Sequence, residues 1–133
     1  MSSDPAAPLS QVLGAAMLGV AISVGCLMVP LVHIVSGPLG PAIGGFVSGT
    51  RVQASGRNIL WIGLCIGSGV ALTVSGVAGL LLLMAPGMWE GNGILETLKS
   101  GALFWGIVAI IWLYAGVLGS VGAWLGGRTA RPD

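Results

Sequence analysis

The amino-acid sequence predicts an all-α fold: a polytopic transmembrane bundle of about four membrane segments, held by glycine-zipper packing. Three observations predict it. Of 133 residues, 55% are hydrophobic and 7% are charged, whereas a soluble domain carries roughly a quarter of its residues as charges. Those few charges gather in short stretches between long apolar runs. Within the runs, residues with little or no side chain recur at every fourth position.

The length suits one domain. The net charge is +1, too small to build the basic field that attracts nucleic acid. Cys26 and Cys65 both sit inside apolar runs. Neither their spacing nor their setting suggests a disulfide framework or a zinc site, so each is expected to pack as a small apolar residue.

Residues 1–9 read as a polar tail containing two prolines. They hold no Lys or Arg ahead of the first apolar run, so the basic region of a secretory signal is missing and that run is expected to be retained. The first span is expected over residues 10–36, with Pro30 kinking it or ending its regular part. The run Gly37-Pro38-Leu39-Gly40-Pro41 reads as a turn. A short second segment follows over 38–50, roughly 21 Å long as a helix. That length fits a thin or tilted span, or a re-entrant half-helix shielded by neighbours. Residues 51–58 form a polar loop. The third span is expected over 59–84, stopped by Ala85-Pro86-Gly87. The connection up to Ser100 carries Glu90, Asn92, Glu96 and Lys99, with a short interfacial helix over 94–99. The fourth span covers 101–125, the bundle as a whole 10–126, and a basic tail 127–133.

Lys and Arg in short loops set orientation. Arg51 and Arg57 flank the loop between the second and third spans, and Arg128 and Arg131 follow the fourth. Loop 51–58 and the end of the chain are therefore expected in the cytoplasm of a prokaryotic cell, at its inner membrane, with 85–100 outside. Four spans place the first residues inside too, whereas a re-entrant second segment places them outside. Trp61 and Trp124 fall at the expected inner boundary, and Trp89 and Trp105 at the outer one, as tryptophan belts do. Trp112, beside Tyr114 in mid-span, is expected to pack or to face lipid.

The most regular pattern is the spacing of small residues. The third span has Gly63, Gly67, Ala71, Ser75 and Gly79 in one row. The first has Ala15, Gly19 and Ser23, with Ala21 and Gly25 beside them. The second has two rows: Gly37, Pro41, Gly45 and Gly49, then Gly40, Gly44 and Ser48. The fourth has Ala115, Gly119, Ala123 and Gly127. In lipid, apolar helices gain nothing by hiding from solvent, so they associate through close van der Waals contact, which small residues permit. Each helical Gly costs ~1 kcal/mol relative to Ala, and 24 glycines call for contacts that offset this. The rows leave open whether their partners belong to the same chain or another.

Side chains that carry chemistry are scarce. No Asp, Glu, Lys or Arg lies inside an expected span, which argues against a proton- or ion-coupled transporter. No Ser-His-acid set is within reach, Glu90 and Glu96 share one loop, and the glycine-rich 40–50 stretch lacks the Lys of a phosphate-binding loop. No catalytic residue, metal site or cofactor is therefore predicted. His33, the sole imidazole, is either an interfacial or packing residue, or an axial ligand to a haem or chlorophyll-type pigment, or a pH-sensing group.

The stretch Gly37-Pro38-Leu39-Gly40-Pro41-Ala42-Ile43-Gly44-Gly45-Phe46-Val47-Ser48-Gly49 resembles the Pro-Leu/Ile-Gly-Gly-Phe-x-x-Gly signature of small glycine-rich four-helix membrane proteins of archaea and bacteria. In that family of unknown function, the signature opens a short second segment. The resemblance implies a tetraspan fold and transfers no functional residue. This chain departs from the pattern in its extra Pro41 and its long connection 85–100.

The expected role is that of a non-enzymatic structural or accessory subunit. It would contact lipid and associate with itself or with a larger membrane complex. The alternatives are a channel using 38–50, with Ser48, Thr50, Ser68, Thr73 and Ser75 as its polar lining, and a pigment- or haem-bearing subunit using His33. If lipid is the solvent, the protein should stay with membranes through an alkaline carbonate wash; release into the supernatant would overturn that premise.

Overall fold

In a computed structural model the described residues are 7–28, 33–84 and 101–130. They form four helices: α1 (Leu9–Met28), α2 (His33–Val52), α3 (Arg57–Met84) and α4 (Ala102–Thr129). The expectations for Pro30, for the connection with Trp89, Glu90, Glu96 and Lys99, and for Arg131 lie outside the described residues.

One element differs from the sequence reading. No turn interrupts residues 37–41; α2 begins at His33 and continues through Pro38 and Pro41. Residues 33–36, expected to finish the first span, therefore belong to α2. Both prolines fall in the first half of the helix. Pro38 lacks the N–H that would bond Ile34, and Pro41 the one that would bond Gly37. A helix packed among neighbours tolerates such gaps. The result is a helix of 20 residues, about 30 Å long.

The α2–α3 connection is short. The Ala54 N–H donates to the Gly49 carbonyl at 2.9 Å and the Gln53 N–H to the Thr50 carbonyl at 3.5 Å. This is the bonding pattern of a Schellman cap, with Gln53 (φ 47°) at the left-handed position where Gly is usual.

Residue pairings give the helix directions. Ala15, Gly19 and Ser23 meet Ser48, Gly44 and Gly40 in turn, so α1 and α2 run antiparallel. Gly45 and Gly49 meet Gly119 and Ala123, so α2 and α4 run parallel. Gly63 and Gly67 meet Gly116 and Trp112 respectively, so α3 and α4 run antiparallel. Around the bundle the order is α1, α2, α4, α3, with α3 returning to α1. The starts of α1 and α3 therefore share one end with the finishes of α2 and α4. Arg51, Arg57 and Arg128 all lie at that end.

The distribution of bulk is inverted relative to a soluble protein. Ile62 and Ile66, both 0% exposed, fill the middle, with Val12 and Val70 beside them. The rest of the interior is small: Ala15, Ala16, Ala71, Ala115, Ala123, Ser23 and Ser48 are all buried. Large side chains such as Leu72, Met17 and Met84 point outward. An outer surface of this kind suits lipid. Three helices are long and apolar enough to cross a membrane, over Leu9–Leu27, Arg57–Leu81 and Leu103–Thr129. The fourth, α2, matches α1 in length but includes five glycines, two prolines and two serines; among the described residues its exposed large apolar side chains are Leu39, Ile43 and Phe46.

Ile66→Ala should lower unfolding stability in detergent by about 2–5 kcal/mol through the cavity it opens. Leu72→Ala, on the outer face, should change it by less than ~0.5 kcal/mol. Equal losses in an SDS titration would show that the two isoleucines are not the core.

Candidate functional site

The residues singled out by the sequence are mostly helix-contact residues, and the site is built from those contacts. α2 is its centre because its two small-residue rows face different helices.

The row Gly40, Gly44 and Ser48 faces α1. A Cβ added at Gly44 would lie 2.7 Å from Ser23 Oγ and overlap the Gly19 carbonyl. One added at Gly19 would lie 2.5 Å from Ser48 Oγ and 2.8 Å from the Gly44 carbonyl oxygen. At Gly40 the obstacles are Cys26 Cβ and the Ser23 carbonyl, each at 3.1 Å. Two buried serines lace this seam. Ser48 Oγ faces the Ala15 carbonyl on α1 and its own-helix Gly44 carbonyl, both at 2.7 Å. Ser23 Oγ faces Gly19 O at 2.7 Å and Gly40 O on α2 at 3.2 Å. Each hydroxyl has one proton, so it is shared between the intrahelical and interhelical acceptors.

The row Gly45 and Gly49 faces α4. A Cβ at Gly45 would overlap the Gly119 carbonyl, and one at Gly49 would lie 2.7 Å from the Ala123 Cα. The fit is reciprocal. Cβ atoms at Gly122, Gly126 and Gly127 would overlap the carbonyls of Ala42, Phe46 and Ala54. Backbone oxygen thus occupies the space where side chains would begin.

α3 meets α4 through the head of its own row. A Cβ at Gly63 would lie 2.5 Å from the Gly116 carbonyl oxygen, and one at Gly67 2.7 Å from that of Trp112. The Trp112 indole N–H donates to Ser68 Oγ across the same pair of helices at 3.0 Å. The row then leaves the seam. Ala71 is buried and Ser75 half-buried, while a Cβ at Gly79 would meet nothing within 4 Å among the described residues. Gly116, Gly122 and Gly126 are contact residues that the sequence reading missed. A single period of four was traced on α4, whereas that helix carries two small faces, one toward α2 and one toward α3.

The five hydroxyls considered as a polar lining do not share a cavity. Ser48 is 0% exposed between α1 and α2. Thr50 Oγ1 donates to Val47 O and Thr73 Oγ1 to Gly69 O, each within its own helix. Ser68 faces outward beside Trp112, and Ser75 is half-buried on α3. His33 is the first residue of α2; its side chain lies outside the described residues. Among those residues no group of His, Cys, Asp or Glu is placed to hold a metal ion.

Arg51, Arg57 and Arg128 are exposed at the shared end. The Arg128 guanidinium stacks 4.0 Å over the Trp124 ring, a cation–π contact. Gln53 Nε2 reaches the Ala130 carbonyl at 3.4 Å, and Ala54 packs on Gly127, so the α2–α3 connection is tied to the last turn of α4.

The fold and surface are those of a helical membrane protein whose distinguishing feature is backbone-level contact on both sides of one glycine-rich helix. Comparison of the chain with protein families, curated proteins and solved structures finds no match.

Gly45→Leu should separate α2 from α4 and abolish the folded bundle in mild detergent. Ser48→Ala, which removes one interhelical hydrogen bond, should cost only about 0.6 kcal/mol, the usual value for such bonds in membranes. A folded Gly45→Leu protein of ordinary stability in the same unfolding assay would show that the α2–α4 contact is dispensable.

Proposed function

We propose that the protein is a non-enzymatic structural or accessory subunit of a membrane. In this reading, glycine-zipper packing first builds a tight four-span bundle, and the bundle then assembles with copies of itself or with a larger membrane complex. The observation that carries the reading is a second set of small residues left over after the interior is built. On α1, Gly14, Ala21 and Gly25 are exposed on one face, opposite the row that meets α2. A Cβ at Gly14 or Gly25 would meet nothing within 4 Å among the described residues, and the same holds at Gly76 and Gly79 on α3. Exposed helical glycine forfeits about 1 kcal/mol of propensity without a contact to offset it, and a neighbouring helix supplies such a contact.

The location that fits this reading is a prokaryotic inner membrane, with α2 as the fourth span. The end bearing Arg51, Arg57 and Arg128 would then face the cytoplasm, as the positive-inside rule directs, together with the start of α1. A solute channel through 38–50 has less support, because the candidate hydroxyls are dispersed and Ile62 and Ile66 occupy the bundle centre. A haem or pigment at His33 rests on residue type alone.

The test is assembly. Gly14→Leu with Gly25→Leu alters only the outward face of α1, so the bundle should fold as before while the oligomer or copurifying partner is lost in gentle detergent. A wild-type protein that is monomeric and partner-free under those conditions would refute the proposal.

A further inference from the structure

We propose that the outer groove between α3 and α4 is a binding site for one anionic phospholipid, with its acyl chain along the groove and its phosphate at Arg57 and Arg128. The groove encloses about 480 Å³, within the ~300–1,000 Å³ of ligand-sized clefts. Its walls are Leu60 and Leu64 on α3 and Leu113, Val117 and Val121 on α4, over a floor at Gly116. Trp112 closes the far end, its indole N–H fixed on Ser68 Oγ. From Trp112 to Val121 the groove runs about 14 Å at 1.5 Å per residue, close to the ~15 Å of one hydrocarbon leaflet.

The near end is where charge complementarity selects the occupant. Helical phase carries both walls to a cation. On α3, Arg57, Leu60 and Leu64 recur at i, i+3 and i+7. On α4, Val117, Val121, Trp124 and Arg128 recur at i, i+4, i+7 and i+11. The antiparallel pairing of Gly63 with Gly116 sets Arg57 level with Gly122, and the Arg128 side chain folds back over Trp124 toward that level, so both cations lie at the same end of the groove. Arg128 lies with its guanidinium face on Trp124, which leaves its N–H edge for an acceptor, and Arg57 is exposed. A phosphate matches such a guanidinium pair, and a lipid supplies phosphate and acyl chain together. A second copy of this chain would bring the same two cations to the mouth and meet them with like charge.

The experiment uses the whole protein in detergent, with tryptophan fluorescence quenched by lipids brominated on the acyl chain. Brominated phosphatidylglycerol should quench at least tenfold lower mole fraction than brominated phosphatidylcholine. Arg57→Gln with Arg128→Gln should remove that preference. Val117→Trp, at an exposed position that does not enter the core, should fill the groove and weaken both lipids while the protein stays folded by circular dichroism. An unchanged preference in the double arginine variant overturns the proposal. So does full competition by inorganic phosphate, which would assign the arginines to a free anion. So does a native mass spectrum in which Val117→Trp abolishes a dimer but leaves lipid adducts intact.

Discussion

The structure depends on how closely α2 approaches the backbones on either side of it. Where two helices pack through ordinary side chains, their axes stand 8–10 Å apart. Along α2 the carbonyls of Gly19, Gly119 and their neighbours occupy the volume of an absent Cβ. Dispersion falls steeply with a gap of even half an ångström, so contact at this range captures attraction that bulkier helices in lipid would forgo. The same proximity lets Ser23 and Ser48 reach carbonyls of a different helix without leaving their own. Such hydroxyls reach across the α1–α2 seam only because no side chain stands between the backbones.

The remaining architecture follows from that approach. With α1 and α4 both drawn onto α2, α3 closes the ring and supplies the bulk the others lack. Ile66 lies within 3.0 Å of a Cβ position at Gly19 and 3.3 Å of one at Gly119, filling the gap that four small faces leave at their centre. The bundle thus divides its labour. Facing glycines of α1, α2 and α4 bring bare backbone, α3 brings branched side chains, and the apolar surface is displaced outward, where a lipid solvent accepts it.

Much of this was legible in the residues. The two rows on the second segment, Gly40-Gly44-Ser48 and Gly45-Gly49, each correspond to one neighbour in the structure, because i, i+4 spacing alone fixes which residues share a helix face. The apolar runs of α1, α3 and α4 were legible from length and hydropathy. What misled was proline. Pro38 and Pro41 are strong local punctuation, and local propensity predicts a turn there; the packing of α2 between two helices outweighs it. The two faces of α4 were illegible for a different reason. Gly116, Gly119, Gly122 and Gly126 fit more than one period, and only the positions of α2 and α3 decide between them. That Arg57 and Arg128 lie at the same end of the bundle was equally hidden, since these residues are far apart in sequence and only the antiparallel pairing of α3 with α4 brings their ends together.

The composition of α2 also constrains how the protein is made. A helix this rich in glycine, serine and proline is the one least able to partition into lipid by itself. Its α1-facing row has a partner as soon as α2 is synthesised, but its other row waits for α4, which follows α3 in the chain. Until then Gly45 and Gly49 have no cover from their own chain. Cover for Gly45 and Gly49 is therefore completed only when α4 is in place.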